Sequence, residues 1–230
     1  MPTRVTPATL TFTVAYVLAY PVVLLWLSGD WRWLEGWLFN IWFLALCAGT
    51  TVYLYAKDPA LLAERYRRPG TGGEVGWDRW FVYAIVVLFF VWFVTMPLDA
   101  KRFQWTPKLP VAVKLAGALL LLVSAFFLFR AFADNTFLSP LVRIQTERRH
   151  QVVSTGVYGF VRHPMYLGAV CLFVGTPLLL NSAYGLAVGL FMTLLLIARI
   201  LGEERVLRIG LDGYEEYTQK VKYRLIPFVW

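Results

Sequence analysis

Both histidines of the chain, His150 and His163, fall in one short stretch, 150–168, that reads HQVVSTGVYGFVRHPMYLG. A zinc site would need three or four ligands at suitable spacing, and neither cysteine (Cys47, Cys171) nor any carboxylate stands where it could complete one, so no metal is expected. Proline after His163 favours an extended residue followed by a helix from Pro164. That puts His163 at a helix N-terminus, where free N–H groups can face a ligand. Tyr158 and Tyr166 flank this point. Either alone reads as an interfacial anchor, whereas together they can wall an aromatic pocket suited to a purine or a cation.

A second group of chemical residues lies at 199–204. Arg199 and Glu203 are four apart and share a helix face, which is the spacing of an ordinary ion pair. Glu204 beside Glu203 changes the balance, because two adjacent carboxylates near a bilayer boundary require a cation to meet them. A hairpin of the two preceding apolar segments would carry Glu203 back toward His163. Gln145, by itself, reads as a solvated loop residue.

The elements that must position these groups are membrane helices. The chain is 59% hydrophobic and 16% charged, with a mean hydropathy of +0.59, which excludes an ordinary soluble domain. Apolar runs at 10–27, 37–56, 80–96, 111–132, 165–180 and 183–201 predict six spans. The fold class is therefore all-α, a polytopic membrane helical bundle. The first run is expected to be retained, since its flank offers no small-residue cleavage site. A short amphipathic helix after Asp58-Pro59 is expected to end in the loop Pro69-Gly70-Thr71-Gly72-Gly73, and Pro97 to stop the third span. That glycine loop lacks the spacing and the preceding strand of a dinucleotide fingerprint, with Val75 where a glycine is needed. Gly175, Gly185 and Gly189 are available for close packing of the last hairpin, which turns at Asn181-Ser182. The chain divides into four N-terminal spans, 1–133, read as anchoring, and a region carrying the chemistry, 134–230.

Six spans put both termini on one side. Seventeen of the 22 Lys and Arg residues, Arg4 among them, then fall on that side, which is expected to be cytoplasmic. The net charge of +8 is accounted for by basic loops at the lipid surface, and nothing resembles a nucleic-acid module. The polar tail after Gly202 carries Val206, Leu207 and Ile209 as an amphipathic face for the membrane surface. Cys47 and Cys171 lie in apolar runs and suit inert thiols.

The pattern H-x-V-V-x-T-G-V-Y-x-x-V-R-H-P-M-Y-L-G, followed by E-E-R-V-L, G-Y-E-E-Y and Y-R-L-I-P, resembles the C-terminal half of the isoprenylcysteine carboxyl methyltransferase family, a group that includes related phospholipid N-methyltransferases. The resemblance covers roughly residues 135–227. It implies S-adenosylmethionine as cofactor and a lipophilic acceptor entering from the bilayer. It also implies a cofactor site formed by Gln145, His150, Gln151, Val152, Val153, Tyr158, His163, Pro164, Met165, Tyr166 and Glu203. Glu203 would meet the cofactor's amino group, and Arg199 would be the catalytic residue that orients the acceptor. Methyl transfer needs alignment and exclusion of water rather than a nucleophilic side chain, and none stands out here. A carboxylate acceptor suits a guanidinium, which can hold both oxygens in one plane. Alternatives are a phospholipid amine N-methyltransferase and a non-catalytic or sterol-reductase-like protein of the same architecture. A transporter would place ionisable residues in mid-span, where this chain has almost none.

Overall fold

The computed structural model describes residues 5–71 and 73–230; Arg4 and Gly72, used in the readings above, lie outside the described residues. Eight α-helices follow one another: α1 (Pro7–Ser28), α2 (Leu34–Lys57), α3 (Pro59–Arg65), α4 (Gly76–Pro97), α5 (Val111–Asp134), α6 (Pro164–Leu180), α7 (Ala183–Gly210) and α8 (Tyr214–Lys220). Among the described residues there is no strand. Local chemistry sets several of the boundaries. Thr6 caps α1 ahead of Pro7, and Gly29 closes it in the left-handed region (φ 71°). The Asp58 carboxylate accepts the Leu61 N–H at 2.9 Å to start α3. Asn181 (φ 69°) ends α6, and the Ser182 hydroxyl accepts the Gly185 N–H at 2.9 Å to begin α7, which makes the hairpin turn tight.

Among the described residues five helices are long and apolar enough to cross a membrane: α1, α2, α4 with its extension to Arg102, α5 and α7. The remaining predicted span, the fifth in chain order, is α6, which has 17 residues and is about 26 Å long at helical rise, short of a hydrocarbon core of about 30 Å. Its environment explains why it can be short. It packs against α2, α4, α5 and α7, and most of its residues are buried, so protein rather than lipid surrounds it. Phe12, Trp80, Val87, Val111 and Leu122, on the outer helices, instead present apolar side chains outward.

Three expectations change. Pro97 ends the α-helical part of the third span but not its helical course: with no N–H to bond the carbonyl four residues back, the chain runs on through a π-helical turn, Leu98–Arg102. The sixth span does not end at residue 201, because α7 is unbroken to Gly210. Val206, Leu207 and Ile209 therefore belong to the span helix and form no separate surface element: Leu207 packs inward with Tyr214 and Tyr217, while Ile209 is 90% exposed. Finally, Gly175 does not serve the hairpin. A Cβ there would lie 2.9 Å from the Gly117 carbonyl oxygen, and one on Gly117 would lie 2.5 Å from the Leu179 nitrogen. Gly117, Ser124 and Gly168 with Gly175 let α5 and α6 touch backbone to backbone, and the Ser124 hydroxyl donates to the Gly168 carbonyl at 2.8 Å. Gly189 does serve α6–α7 contact, against the Phe173 carbonyl, and Gly185 abuts Met96 of α4.

The largest hydrophobic cluster, including Leu24, Phe39, Trp92, Leu121, Tyr166, Phe173, Met192 and Ile200, draws side chains from both 1–133 and 134–230.

Candidate active site

At one end of the bundle the segment between α5 and α6 folds over the start of α6 and the last turns of α7, leaving a cleft. His150, Gln151, Val152, Val153, Tyr158, His163, Met165, Tyr166 and Glu203 line it, nine of the twelve residues expected at the site. Asn135, Phe137, Leu138, Leu207, Tyr214 and Tyr217 line it too, without having been singled out in the sequence. Leu207, Tyr214 and Tyr217 lie within the closing motifs, while the sequence signal of Asn135, Phe137 and Leu138 is only that they precede the first.

The roof is held from below by the N-terminal helices. Arg143 grips Glu64 of α3 through Nε and Nη2 at 2.9 and 3.0 Å and also donates to Glu147 at 2.6 Å. Against the upward pull of burial, Arg143 and Ser139 keep the Glu64 carboxyl below its usual range, so this pair stays charged. Asp78, fully buried at the start of α4, accepts the Val142 N–H at 2.6 Å. The four N-terminal spans are thus more than an anchor, because their charged ends set the position of the roof. Glu64 and Asp78 are carboxylates at span boundaries, and the cost of burying them was the signal that they needed partners.

Arg199 is not paired with Glu203. Its guanidinium is 7% exposed and locked on Asp78, with Nε–Oδ1 at 2.9 Å and Nη2–Oδ2 at 3.1 Å, while Nη2 also donates to the Pro140 carbonyl at 2.8 Å. It does not line the cleft, and it lies across the rings of Phe81 and Tyr166. Gln145 is likewise outside the lining. It is fully buried behind the roof, where its amide donates to the Phe137 carbonyl at 2.5 Å and accepts from Arg148 at 2.8 Å. Pro164 starts α6 as expected and is buried below the cleft. The His163 N–H is not free for a ligand, since it donates to the Arg224 carbonyl at 2.9 Å.

That last bond belongs to a docked tail. Arg162 donates through Nη1 to the carbonyls of Val221 and Lys222 at 2.7 and 2.8 Å, and through Nε to Glu204 at 2.7 Å. Glu204, 3% exposed, also receives Arg224 at 3.0 Å and approaches the His163 ring at 3.3 Å. The closing motifs are coupled through this carboxylate, which meets the cations its burial demands. Glu203, one residue away, turns toward the cleft. It accepts the Tyr166 hydroxyl at 2.6 Å, and among the described residues no cation lies within ion-pair distance of it. At the other side of the cleft the sequence Thr155-Gly156 brings the chain hard against α5. Gly156 has φ 58°, a Cβ there would overlap the Asp134 carboxylate, and that carboxylate accepts the Val157 N–H at 2.9 Å.

Two of the cleft's charged wall residues, Arg143 and Arg162, are held in ion pairs with Glu64 and Glu204, and burial acts on several of its other titratable groups. Burial, and then the charges of Arg143 and Arg148, push His150 down to about 4, with its ring against Phe137 at 4.7 Å. Burial raises the Tyr158, Tyr214 and Tyr217 hydroxyls well above their usual value. One open carboxylate among aromatic rings and the neutral His150 imidazole makes a site for a cationic group attached to a planar one.

The fold and this cleft define a polytopic membrane protein with a cleft at one end of its helices. Residues 113–209 match the family model described as phospholipid methyltransferase. The chain is 33% identical over 135 residues to the protein-S-isoprenylcysteine O-methyltransferase of Saccharomyces cerevisiae, covering 57% of this chain and 55% of that one. It is 30% identical over 150 residues to the Delta(14)-sterol reductase TM7SF2 of Mus musculus, covering 59% of this chain and 36% of the reductase. The structure of the eukaryotic intramembrane Ras methyltransferase ICMT (isoprenylcysteine carboxyl methyltransferase) aligns with a TM-score of 0.51 at 18% identity, covering 98% of this chain and 88% of that one, which shows a shared fold. The chain spans about a third to two thirds of the length of the curated relatives it matches. The stretch matched by the family model contains the histidine motif at 150–168 and the Glu203-Glu204 pair.

Proposed function

We propose that the protein is an S-adenosylmethionine-dependent membrane methyltransferase that acts on a lipophilic acceptor, with carboxyl O-methylation of an isoprenylcysteine-like molecule as the reaction. The observation that carries this reading is Glu203, a cleft carboxylate with no cation of its own, held by the Tyr166 hydroxyl among neutral rings. When bound, the cofactor supplies a methyl group activated on a sulfonium. Glu203 would hold its ammonium, and Tyr158, His163 and Tyr166 would face its rings and its charge. Val152, Val153 and Met165 would keep water from the reacting centre. Transfer to a carboxylate moves no proton, so no general base is required, and none is poised here. Arg199, fixed by Asp78, places a positive charge beneath Tyr166 rather than gripping the acceptor with a free fork. With six spans and the basic side inward, the cleft and both termini would face the cytoplasm.

The test is calorimetric binding of S-adenosylmethionine by the full chain in detergent, for wild type and Glu203→Gln. Wild type should bind, and the variant should lose about 10- to 150-fold in affinity, as expected when a hydrogen bond to a charged group is removed. Transfer of labelled methyl to S-farnesylcysteine should follow the same order. A well-folded wild type that ignores the cofactor and binds a reduced nicotinamide dinucleotide instead would replace this reading with the reductase one.

A further inference from the structure

The Arg65 guanidinium lacks an anion among the described residues. Arg65, the last residue of α3, is only partly exposed, and its Nη1 is buried without a hydrogen-bond partner. Among the described residues no carboxylate lies within ion-pair distance of it. The nearest candidate in sequence, Glu64, has both oxygens taken by Arg143 and Ser139. Arg65 rests instead on the face of Phe132 near the end of α5, 5.0 Å from the ring centroid. Burial first, and Arg199 second, push this group down to about 10 against a smaller upward pull from Tyr166 and Glu64, so at neutral pH it stays charged without an ion-pair partner of its own among the described residues. Removing one partner of a buried pair usually leaves so costly a charge that such arrangements are avoided, and a bound anion is the ordinary remedy.

The position suits an acceptor. Arg65 lies within electrostatic reach of Tyr158 and Tyr166, both of which line the cleft. Leu138, another lining residue, packs on the cluster of Leu54, Leu61, Leu62 and Phe132 around α3. Arg65 is not itself in the lining; it stands behind the wall that Leu138 forms, on Phe132 near the end of α5. Glu203, on α7, marks the cofactor's side of the same cleft. The planar fork of a guanidinium stacked on a ring is preorganised to hold both oxygens of a carboxylate, which an ammonium cannot do.

We propose that Arg65 binds the carboxylate of the lipophilic acceptor and selects acids over neutral lipids of the same shape. The inference rests on the methyltransferase reading above and goes beyond it by giving the acceptor's charge a residue that neither motif contains.

The experiment uses the full chain in lipid nanodiscs, as wild type, Arg65→Gln and Arg65→Lys. Affinities are measured for S-adenosylmethionine, for S-farnesylcysteine and for its neutral carboxamide. Cofactor affinity should be the same in all three proteins, which also shows that the variants fold. Arg65→Gln should weaken the acid by about 10- to 150-fold and the carboxamide by no more than about 3-fold, with Arg65→Lys in between. Equal affinity of wild type for acid and carboxamide would overturn the proposal, as would an Arg65→Gln protein that still prefers the acid. Dependence on Arg65 for a phosphatidic acid but not for S-farnesylcysteine would overturn it in favour of a phosphate headgroup. A wild type that does not bind S-adenosylmethionine overturns the underlying reading instead, so the two failures are distinguishable.

Discussion

The bundle has a polar layer at each end, and the two are built on different principles. At the end away from the cleft, Asp99 is fully buried with no cation and is satisfied entirely by neutral donors. Thr106 supplies its N–H and hydroxyl at 2.8–2.9 Å, Ser182 its hydroxyl at 2.6 Å and Tyr184 its N–H at 3.3 Å. Asn181 adds bonds to Leu109, Thr106 and Pro107, so the loop after α4 is knotted to the α6–α7 turn. At the cleft end, Glu64, Asp78 and Glu204 take guanidinium partners from distant segments, while Glu203 and Arg65 are left with unsatisfied charge. The first layer is closed and has nothing to offer a ligand. The second uses its closed pairs to hold two open charges in place, and open charges held by closed ones are the physical signature of a site.

Breaking the closed pairs tests this contrast most severely. Glu204→Ala strands Arg162 and Arg224 and should cost about 3–5 kcal/mol, the range for breaking a buried pair from one side. The tail at 221–230 should come loose, which hydrogen exchange at Val221–Leu225 would report, and a variant with protected tail amides would contradict the role given to Glu204. Asp99→Ala should cost about 1–3 kcal/mol for each buried donor left without its acceptor. The discriminating readout is cofactor affinity, which Asp99→Ala should leave unchanged in the folded fraction while Glu204→Ala lowers it. Smallest is the effect of pH through His150. Its folded value of about 4 lies below the unfolded value of about 6.5, so the unfolded chain binds more protons between them. The stability that comes from a neutral His150 is present above about pH 6.5 and is lost as pH falls toward 4. A His150→Asn variant should therefore melt with a shallower dependence on pH in that window than wild type. Identical slopes would mean that His150 is not held neutral.

How much of this was legible beforehand follows from the range of the interactions. The N-cap at Asp58, the α6 start at Pro164 and the turn at Asn181-Ser182 rest on contacts a few residues apart, and the sequence states them directly. Nine lining residues were legible because they sit in two compact motifs. Arg199 was legible as important and illegible in its partner. Spacing offered Glu203 four residues on, whereas the structure supplies Asp78, 121 residues away. Gly175 shows the same limit, since a small residue announces close approach without saying to which helix.

The sequence alone determined that the chain is helical and membrane-spanning, and that its reactive groups converge at one end of the last hairpin, because hydropathy, capping and motif order are local properties. Only the tertiary structure decided between the neighbours Glu203 and Glu204. Successive helix residues point about 100° apart, so one of them had to leave the Arg162–Arg224 cluster. Which one did depends on how α7 is rotated against α4 and α6, a rotation set by packing at Gly185, Gly189 and Gly202.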